Sequence, residues 1–373
     1  MDRLIVKNFG PLKDIDIKLN RVNLFIGENG SGKSVLAKLV IALERFMIDT
    51  NVNEGKLFNL ANLDSFLNGF NINYINNNTI IEYYLNNEIF FLFKDESIYH
   101  LNKNIYSKKG QNKSKNVLKN TRKDLNGDEL ETYSLILSNL MSKIEYIPAE
   151  RNILSILNES INSLVRYKVP LPDFLLDFAS EYEYARKEIK ELNALNVKYQ
   201  FDGTDKVYYD KDNYLKLSHS SSGIQSAIPM LLTAKYFAKK YRGIVIEEPE
   251  QNLFPKAQKE VIEFLLKEVN EKNSLFLMTH SPYVLSTLNI LMMAHKVGSL
   301  SSKASKEVEK IIPKSKWLNR DNFSAYYIED GKAKNIKGKT GLISENVIDD
   351  ISDEIDSEFQ ELLELYREFK NDK

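Results

Sequence analysis

Eight consecutive residues, Gly27-Glu28-Asn29-Gly30-Ser31-Gly32-Lys33-Ser34, fit the phosphate-binding pattern G-x-x-x-x-G-K-[ST]. A nucleoside triphosphate brings several negative charges close to backbone, and the pattern answers them in three ways. Gly30 and Gly32 lack a Cβ, so the chain can curl with its N–H groups pointing inward. A helix starting near Gly32 adds its positive dipole end. Lys33 can reach the β- and γ-phosphates, and the Ser34 hydroxyl can ligate Mg2+.

Three further constellations carry chemistry. Ser220-Ser221-Ser222-Gly223-Ile224-Gln225 precedes an apolar helical run, Ala227 to Phe237, and offers hydroxyls, bare N–H groups and a helix dipole to an anion. Gly243-Ile244-Val245-Ile246-Glu247-Glu248-Pro249-Glu250 is an apolar strand delivering two adjacent carboxylates to its C-terminal end, where open α/β sheets bind ligands. Glu247 can hold Mg2+, directly or through water, and Glu248 can orient or deprotonate an attacking water. Adjacent acids closing an apolar strand are costly unless a cation or solvent faces them. Ser274 to Pro282 is another apolar strand ending in one histidine, with a helix beginning near Pro282. A lone histidine usually serves structure; at the end of this strand His280 is a candidate γ-phosphate contact.

These groups need a frame. Val22 to Ile26 is an apolar run that predicts a buried strand, and Val35 to Phe46 has helical spacing, so the glycine-rich loop lies between strand and helix. Residues 3–9 and 13–19 alternate about Gly10-Pro11 and predict a hairpin leading into that strand. Ile80 to Phe93 reads as one or two strands, Asp128 to Met141 as a helix, and Ile144 to Ile147 as a buried strand ending at Pro148. Residues 152–196 read as mainly helical, broken at Pro170 and Pro172, with dense charge at helical period from Phe174 to Leu195. Tyr199-Gln200-Phe201 and Lys206 to Tyr209 predict a hairpin, as does Ala325 to Ile336 about Asp330-Gly331. The expected organisation is an N-terminal lobe over 1–150, a helical insertion and hairpin over 151–215, a C-terminal lobe over 216–340 and an amphipathic acidic helix over 341–373.

Composition narrows the field. The chain has 373 residues, 43% hydrophobic and 28% charged, enough for a substantial core. A net charge of −1 gives no global field for nucleic acid or membrane, so any such contact is a local patch. With no cysteine, disulfides and thiolate metal sites are excluded. The four histidines lack metal-ligand spacing. No apolar stretch approaches the roughly 20 residues of a membrane span, and no signal peptide is visible, so a cytoplasmic location is expected. Ser97 to Lys123 holds eight Lys or Arg and no acid, which suits either a solvated insertion or a phosphate-backbone contact with nucleic acid.

In their order, the P-loop, Ser-Ser-Gly-x-Gln turn, Glu-Glu-Pro-Glu strand end and Thr-His-Ser-Pro resemble an ABC-type ATPase head, more narrowly the soluble SMC/RecF/OLD group. Ile5 to Gly10 is similar to that group's N-terminus, and Glu247 to Pro255 looks like the acidic strand and D-loop of OLD-like members. The resemblance implies an α/β P-loop head with a mixed sheet, an N-terminal β-subdomain and a short helical insertion. It implies that Gly27 to Ser34 is Walker A, that Ser221 and Gly223 belong to the signature, and that Glu247 is the Walker B acid. Glu248 would then be the catalytic carboxylate and His280 the switch histidine, with ATP and Mg2+ as ligands. In such heads the signature of one subunit caps ATP held by the other, so a homodimer is expected.

Two departures stand out. Glu247 is one methylene longer than the usual Asp, and the junction Tyr146 to Asn152 lacks the usual Q-loop Gln, leaving Glu150 or Arg151 to serve near the phosphates, at the dimer seam or in a strand-end ion pair. No long coiled coil and no nuclease element is present. The tail pattern Ile348, Ile351, Ile355, Phe359, Leu362, Tyr366, Phe369 reads as a helix that packs on its own head or docks a partner. The expectation is an ATPase governing a separately encoded effector in anti-phage defence, a RecF-like DNA-binding protein, or a slow ATP-gated scaffold.

Overall fold

The computed structural model describes residues 2–52, 60–85, 88–94, 97–100, 144–157, 163, 166–240, 243–269, 273–343 and 357–363. The chain opens with the expected hairpin, β1 (Asp2–Phe9) and β2 (Leu12–Leu19). Leu4 pairs with Ile17 and Val6 with Ile15, so the alternation puts one apolar face inward. Next comes β3 (Val22–Ile26), buried at every residue. Such a strand is covered on both faces, and each large side chain contributes roughly 1.5–3 kcal/mol by leaving water. Helix α1 (Lys33–Val52) and α2 (Leu60–Gly69) precede the antiparallel β4 (Ile80–Leu85), β5 (Glu88–Lys94) and β6 (Ser97–His100).

β7 (Ile144–Ile147) leads through a turn of 3-10 helix (Ala149–Arg151) into α3 (Asn152–Leu157) and α4 (Asp173–Glu188). The helical reading of Phe174 to Leu195 is corrected here: α4 stops at Glu188, and β8 (Glu191–Ala194) begins a four-stranded antiparallel sheet with β9 (Val197–Phe201), β10 (Asp205–Tyr208) and β11 (Tyr214–Lys216). Leu195 and Asn196 both take positive φ (54° and 58°), the left-handed pair of a tight hairpin turn. Buried Leu192 faces buried Tyr199 across that hairpin, and this pairing overrides the local helical pattern.

The remainder is α5 (Ser222–Lys240), β12 (Gly243–Glu247), α6 (Pro255–Glu268), β13 (Ser274–Thr279), α7 (Pro282–Gly298), α8 (Ser302–Ile311), β14 (Phe323–Glu329) and β15 (Lys332–Asn335). Eleven strands make one mixed sheet in the order β6-β5-β4-β1-β2-β15-β14-β3-β13-β12-β7. β14, β3, β13, β12 and β7 run parallel; the N-terminal strands continue the sheet in antiparallel pairs. The mixed α/β P-loop architecture is as expected. Most of the basic run Ser97–Lys123, the helix expected at Asp128–Met141 and most of the tail helix lie outside the described residues; residues 357–363 are helical.

Candidate functional site

Register brings the chemistry to one edge. Ile26 on β3 pairs with Thr279 on β13, Met278 pairs with Glu247 on β12, and Ile246 pairs with Ile147 on β7. The strands are parallel, so the residues that follow them (Gly27, His280, Glu248 and Pro148) leave the sheet side by side at its C-terminal edge. This is where ligands bind in open α/β sheets.

In the P-loop, Gly30 and Gly32 take φ of 81° and 104°, a region closed to most L side chains. Ser31 N–H donates to Glu28 O at 3.2 Å, and Leu36 N–H donates to Gly32 O at 2.9 Å, which starts α1. Lys33 is buried; its ammonium donates to Gly27 O (2.6 Å), Glu28 O (2.7 Å) and Ser31 Oγ (3.4 Å). Burial lowers its pKa, and Glu248, Glu250 and Glu247 oppose that. Asn29 is exposed at the tip of the loop. Beside the loop lies a cavity of about 380 Å³, lined by Pro11 and Lys13 around the β1–β2 turn, Glu28 to Ser31, and Tyr327 to Gly331 at the end of β14 and in the turn to β15.

Glu247 is buried, and desolvation raises its pKa; the nearby Lys38 charge and the Tyr146 and Ser34 hydroxyls favour the ionised form. Neither Glu247 Oε1 nor Tyr146 OH closes a hydrogen bond of normal geometry. A buried carboxylate oxygen without a donor, next to the hydroxyl of the P-loop serine, is a donor set that suits a hard divalent cation shared with phosphates. Among the described residues no group of three or more His, Cys, Asp or Glu could hold a metal by itself. Glu247 and Ser34 are the residues here whose oxygens suit such a cation.

Glu248 has a positive φ of 44°, a strained conformation for a side chain of this type. Its N–H donates to Met278 O (2.8 Å), and its own carbonyl accepts from Gln251 N–H (3.0 Å). Its side chain is 35% exposed, and its Oε1 lies 3.9 Å from His280 Nδ1. The geometry brings Glu248 and His280 together at the edge beside the P-loop.

Two residues carry more here than the sequence disclosed. Glu250, 4% exposed, accepts through Oε1 from Thr279 Oγ1 (2.6 Å) and from His280 N–H (3.0 Å), fixing the end of β13. Arg151 is fully buried and donates only to carbonyls: Pro148 (3.0 Å), Glu247 (2.6 Å), Glu248 (2.5 Å) and Ser226 (3.2 Å). Burial pulls its pKa down to about 10, with Glu250, Glu248 and Glu247 holding it up, so it stays charged at neutral pH. No ion pair at this strand end involves Arg151 among the described residues; Glu150 is exposed. The phosphate and ion-pair readings of Arg151 give way to a backbone brace. Three of its four acceptors are distant in sequence, and only the missing Q-loop Gln marked the junction.

Ser221 is exposed just before α5. A Cβ on Gly223 would meet Asn252 O at 2.6 Å, so the signature turn is pressed against the turn that follows Glu248. Gln225 Nε2 donates to Ser218 O and Ser220 O, and Ser226 Oγ donates to Gln251 Oε1 (2.9 Å). Among the described residues no hydrogen bond or ion pair joins Ser221 or Gly223 to Gly27–Ser34.

Residues 168–285 match the family model described as AAA ATPase domain. The matched segment holds the signature turn, the acidic strand end and His280, and it bears out the expectation of an ATPase of this broad class; the P-loop precedes it. A comparison with curated proteins finds no match. Among solved structures, the SMC head domain from Thermotoga maritima is similar at 13% identity and TM-score 0.40, covering 90% of this chain and 97% of that one. MJ1267, an ATP-binding cassette of an ABC transporter, in its ADP conformation, is similar at 14% identity and TM-score 0.39, covering 94% and 96%. The dimeric structure of MJ0796, a bacterial ABC transporter cassette, is similar at 13% identity and TM-score 0.37, covering 91% and 100%. No helix among the described residues is long and apolar enough to cross a membrane.

Proposed function

We propose that this chain is an ABC-type ATPase head that hydrolyses ATP to ADP and phosphate while paired head to head with a second copy of itself. The observation that carries the reading is the register of β3, β13 and β12, which sets the P-loop, His280 and the Glu247–Glu248 pair along one sheet edge. In this reading the N–H groups of Gly27 to Ser34 and the Lys33 ammonium hold the phosphates. The nucleoside end extends into the cavity lined by Pro11, Lys13 and Tyr327. Ser34 and Glu247 would hold Mg2+, which neutralises charge on the phosphate oxygens when bound. Glu248 orients the attacking water and takes its proton, and the exposed third of its side chain returns that proton to solvent. His280 stands beside Glu248, where it contacts the terminal phosphate.

In the same reading the site is composite: Ser221 and Gly223, which make no hydrogen bond to Gly27–Ser34 among the described residues, cap ATP held by the partner subunit. Phe254, 78% exposed at the start of α6, sits next to that signature turn and supplies apolar contact area for the closed pair. The likeness of Glu247 to Pro255 to OLD-like heads supports a role in anti-phage defence, with the ATP-closed pair controlling a separately encoded effector.

The test is Glu248→Gln. Turnover of ATP falls by about 10²–10⁴, the usual contribution of a general base, while the ATP-bound pair accumulates on size exclusion. Unchanged turnover in the variant sinks the assignment of Glu248.

A further inference from the structure

Arg151 ties together three pieces of backbone that must agree before hydrolysis can occur. One guanidinium donates to Pro148 where the chain leaves β7, to Glu247 and Glu248 at the end of β12, and to Ser226 near the start of α5. Glu248 is thereby pinned from both sides of its strained residue: Met278 O holds its N–H and Arg151 holds its carbonyl. Ser155, one helical turn beyond Arg151, donates its hydroxyl to Gln225 O at 2.6 Å and fastens α3 to the same turn of α5. A buried cation is costly, and here the ends of a strand and a helix solvate it in place of a carboxylate. An apolar residue or a carboxylate partner would fill the space without reaching all four carbonyls. The fork of an arginine, with five N–H groups in one plane, reaches them together.

We infer that Arg151 is a positioning residue that sets the direction of the Glu248 side chain and links it to the signature helix, so that hydrolysis follows closure of the signature over the partner's ATP. The inference rests on the proposed ATPase reading. α5 starts at Ser222, directly after Ser221, and its Ser226 carbonyl is one of the four acceptors. A shift of α5 when Ser221 and Gly223 engage nucleotide is therefore felt at Glu248 through a single side chain. Ser226 Oγ on Gln251, the residue that hydrogen-bonds the Glu248 carbonyl, gives the same helix a second hold on that turn.

The experiment is a double-mutant cycle between Arg151→Lys and Glu248→Gln in the full chain, reading kcat, KM for ATP, fluorescent-nucleotide affinity and thermal unfolding. Lysine keeps the charge but cannot span four carbonyls. A misplacement of about 1 Å costs on the order of 10²-fold in rate. The expected result is a kcat lower by about 10–100-fold, with KM and nucleotide affinity within about twofold, and little further loss when Arg151→Lys is added to Glu248→Gln. Losses that multiply in the double variant, or that appear equally in nucleotide affinity, overturn the inference. If Arg151→Lys does not fold, Arg151→Gln takes its place in the cycle; if neither folds, the arginine is a structural brace alone and the inference fails. Failure of the underlying reading looks different: Glu248→Gln by itself would then leave turnover intact.

Discussion

Replacing Glu250 separates what its hydrogen bonds do from what its charge does. The carboxylate is 4% exposed, and its Oε1 accepts from Thr279 Oγ1 and from the His280 N–H. Hydrogen bonds to an ionised acceptor contribute about 1.5–3 kcal/mol each. Glu250→Ala removes both, orphans the His280 N–H and withdraws the strongest of the charges that hold up the Arg151 pKa. It also relieves the burial of a carboxylate whose Oε2 has no partner. The net loss is about 2–4 kcal/mol, which in a protein of 373 residues lowers the melting temperature by about 2–5 °C. Glu250→Gln keeps a carbonyl oxygen for both donors and loses only the charge, so it costs about 1 kcal/mol. Thermal and denaturant unfolding of the nucleotide-free protein read both variants, and ATP turnover reads the displacement of His280. An alanine variant within about 0.5 kcal/mol of the parent refutes the hydrogen-bond reasoning. A glutamine variant as damaged as alanine shows that the charge, not the acceptor, carries the effect.

Other outcomes follow from the same geometry. The folded-state pKa of Glu247 is raised above 4.5, chiefly by desolvation. Its stabilising contribution is therefore complete below 4.5 and lost as pH rises through the folded value. Glu247→Gln should raise the melting temperature of the nucleotide-free protein at neutral pH and flatten its pH dependence, while removing the extra stabilisation by Mg2+ with ATP; a variant less stable at neutral pH without nucleotide contradicts this. Phe254→Asp puts a charge at the seam and should weaken the ATP-dependent pair by at least about tenfold with nucleotide affinity of the single chain unchanged; analytical ultracentrifugation with ATP reads it, and undiminished pairing places the seam elsewhere.

The candidate site was legible in the sequence because the phosphate-binding pattern restricts residue types over a few adjacent positions. The Gly30 and Gly32 turn, Lys33, Ser34 and the Glu247–Glu248 strand end are all local, and the strands carrying them are uniformly apolar. Residues that act through distant backbone were not legible. Arg151 meets Glu247 and Glu248 almost a hundred residues along the chain, and it recognises carbonyls, which every residue has. Glu250 stood in the motif, yet nothing local revealed that it holds Thr279 and His280. β8 was hidden because the charge pattern of α4 runs on past Glu188, and its turn uses Leu195-Asn196 where Asn-Gly would have marked it. The expectation of assembly came from the resemblance of the Ser221–Gly223 turn to a signature, and among the described residues no hydrogen bond joins that turn to Gly27–Ser34.

That expectation has a direct test. Lys33→Ala disables the P-loop and Ser221→Arg disables the signature, so neither variant alone turns over ATP. In a mixed pair, the intact P-loop of one chain meets the intact signature of the other and rebuilds one working site. Mixing equal amounts should restore turnover to about one quarter of the parent level if pairs form at random and sites act independently. Mixtures no more active than the two variants measured separately would contradict a composite site.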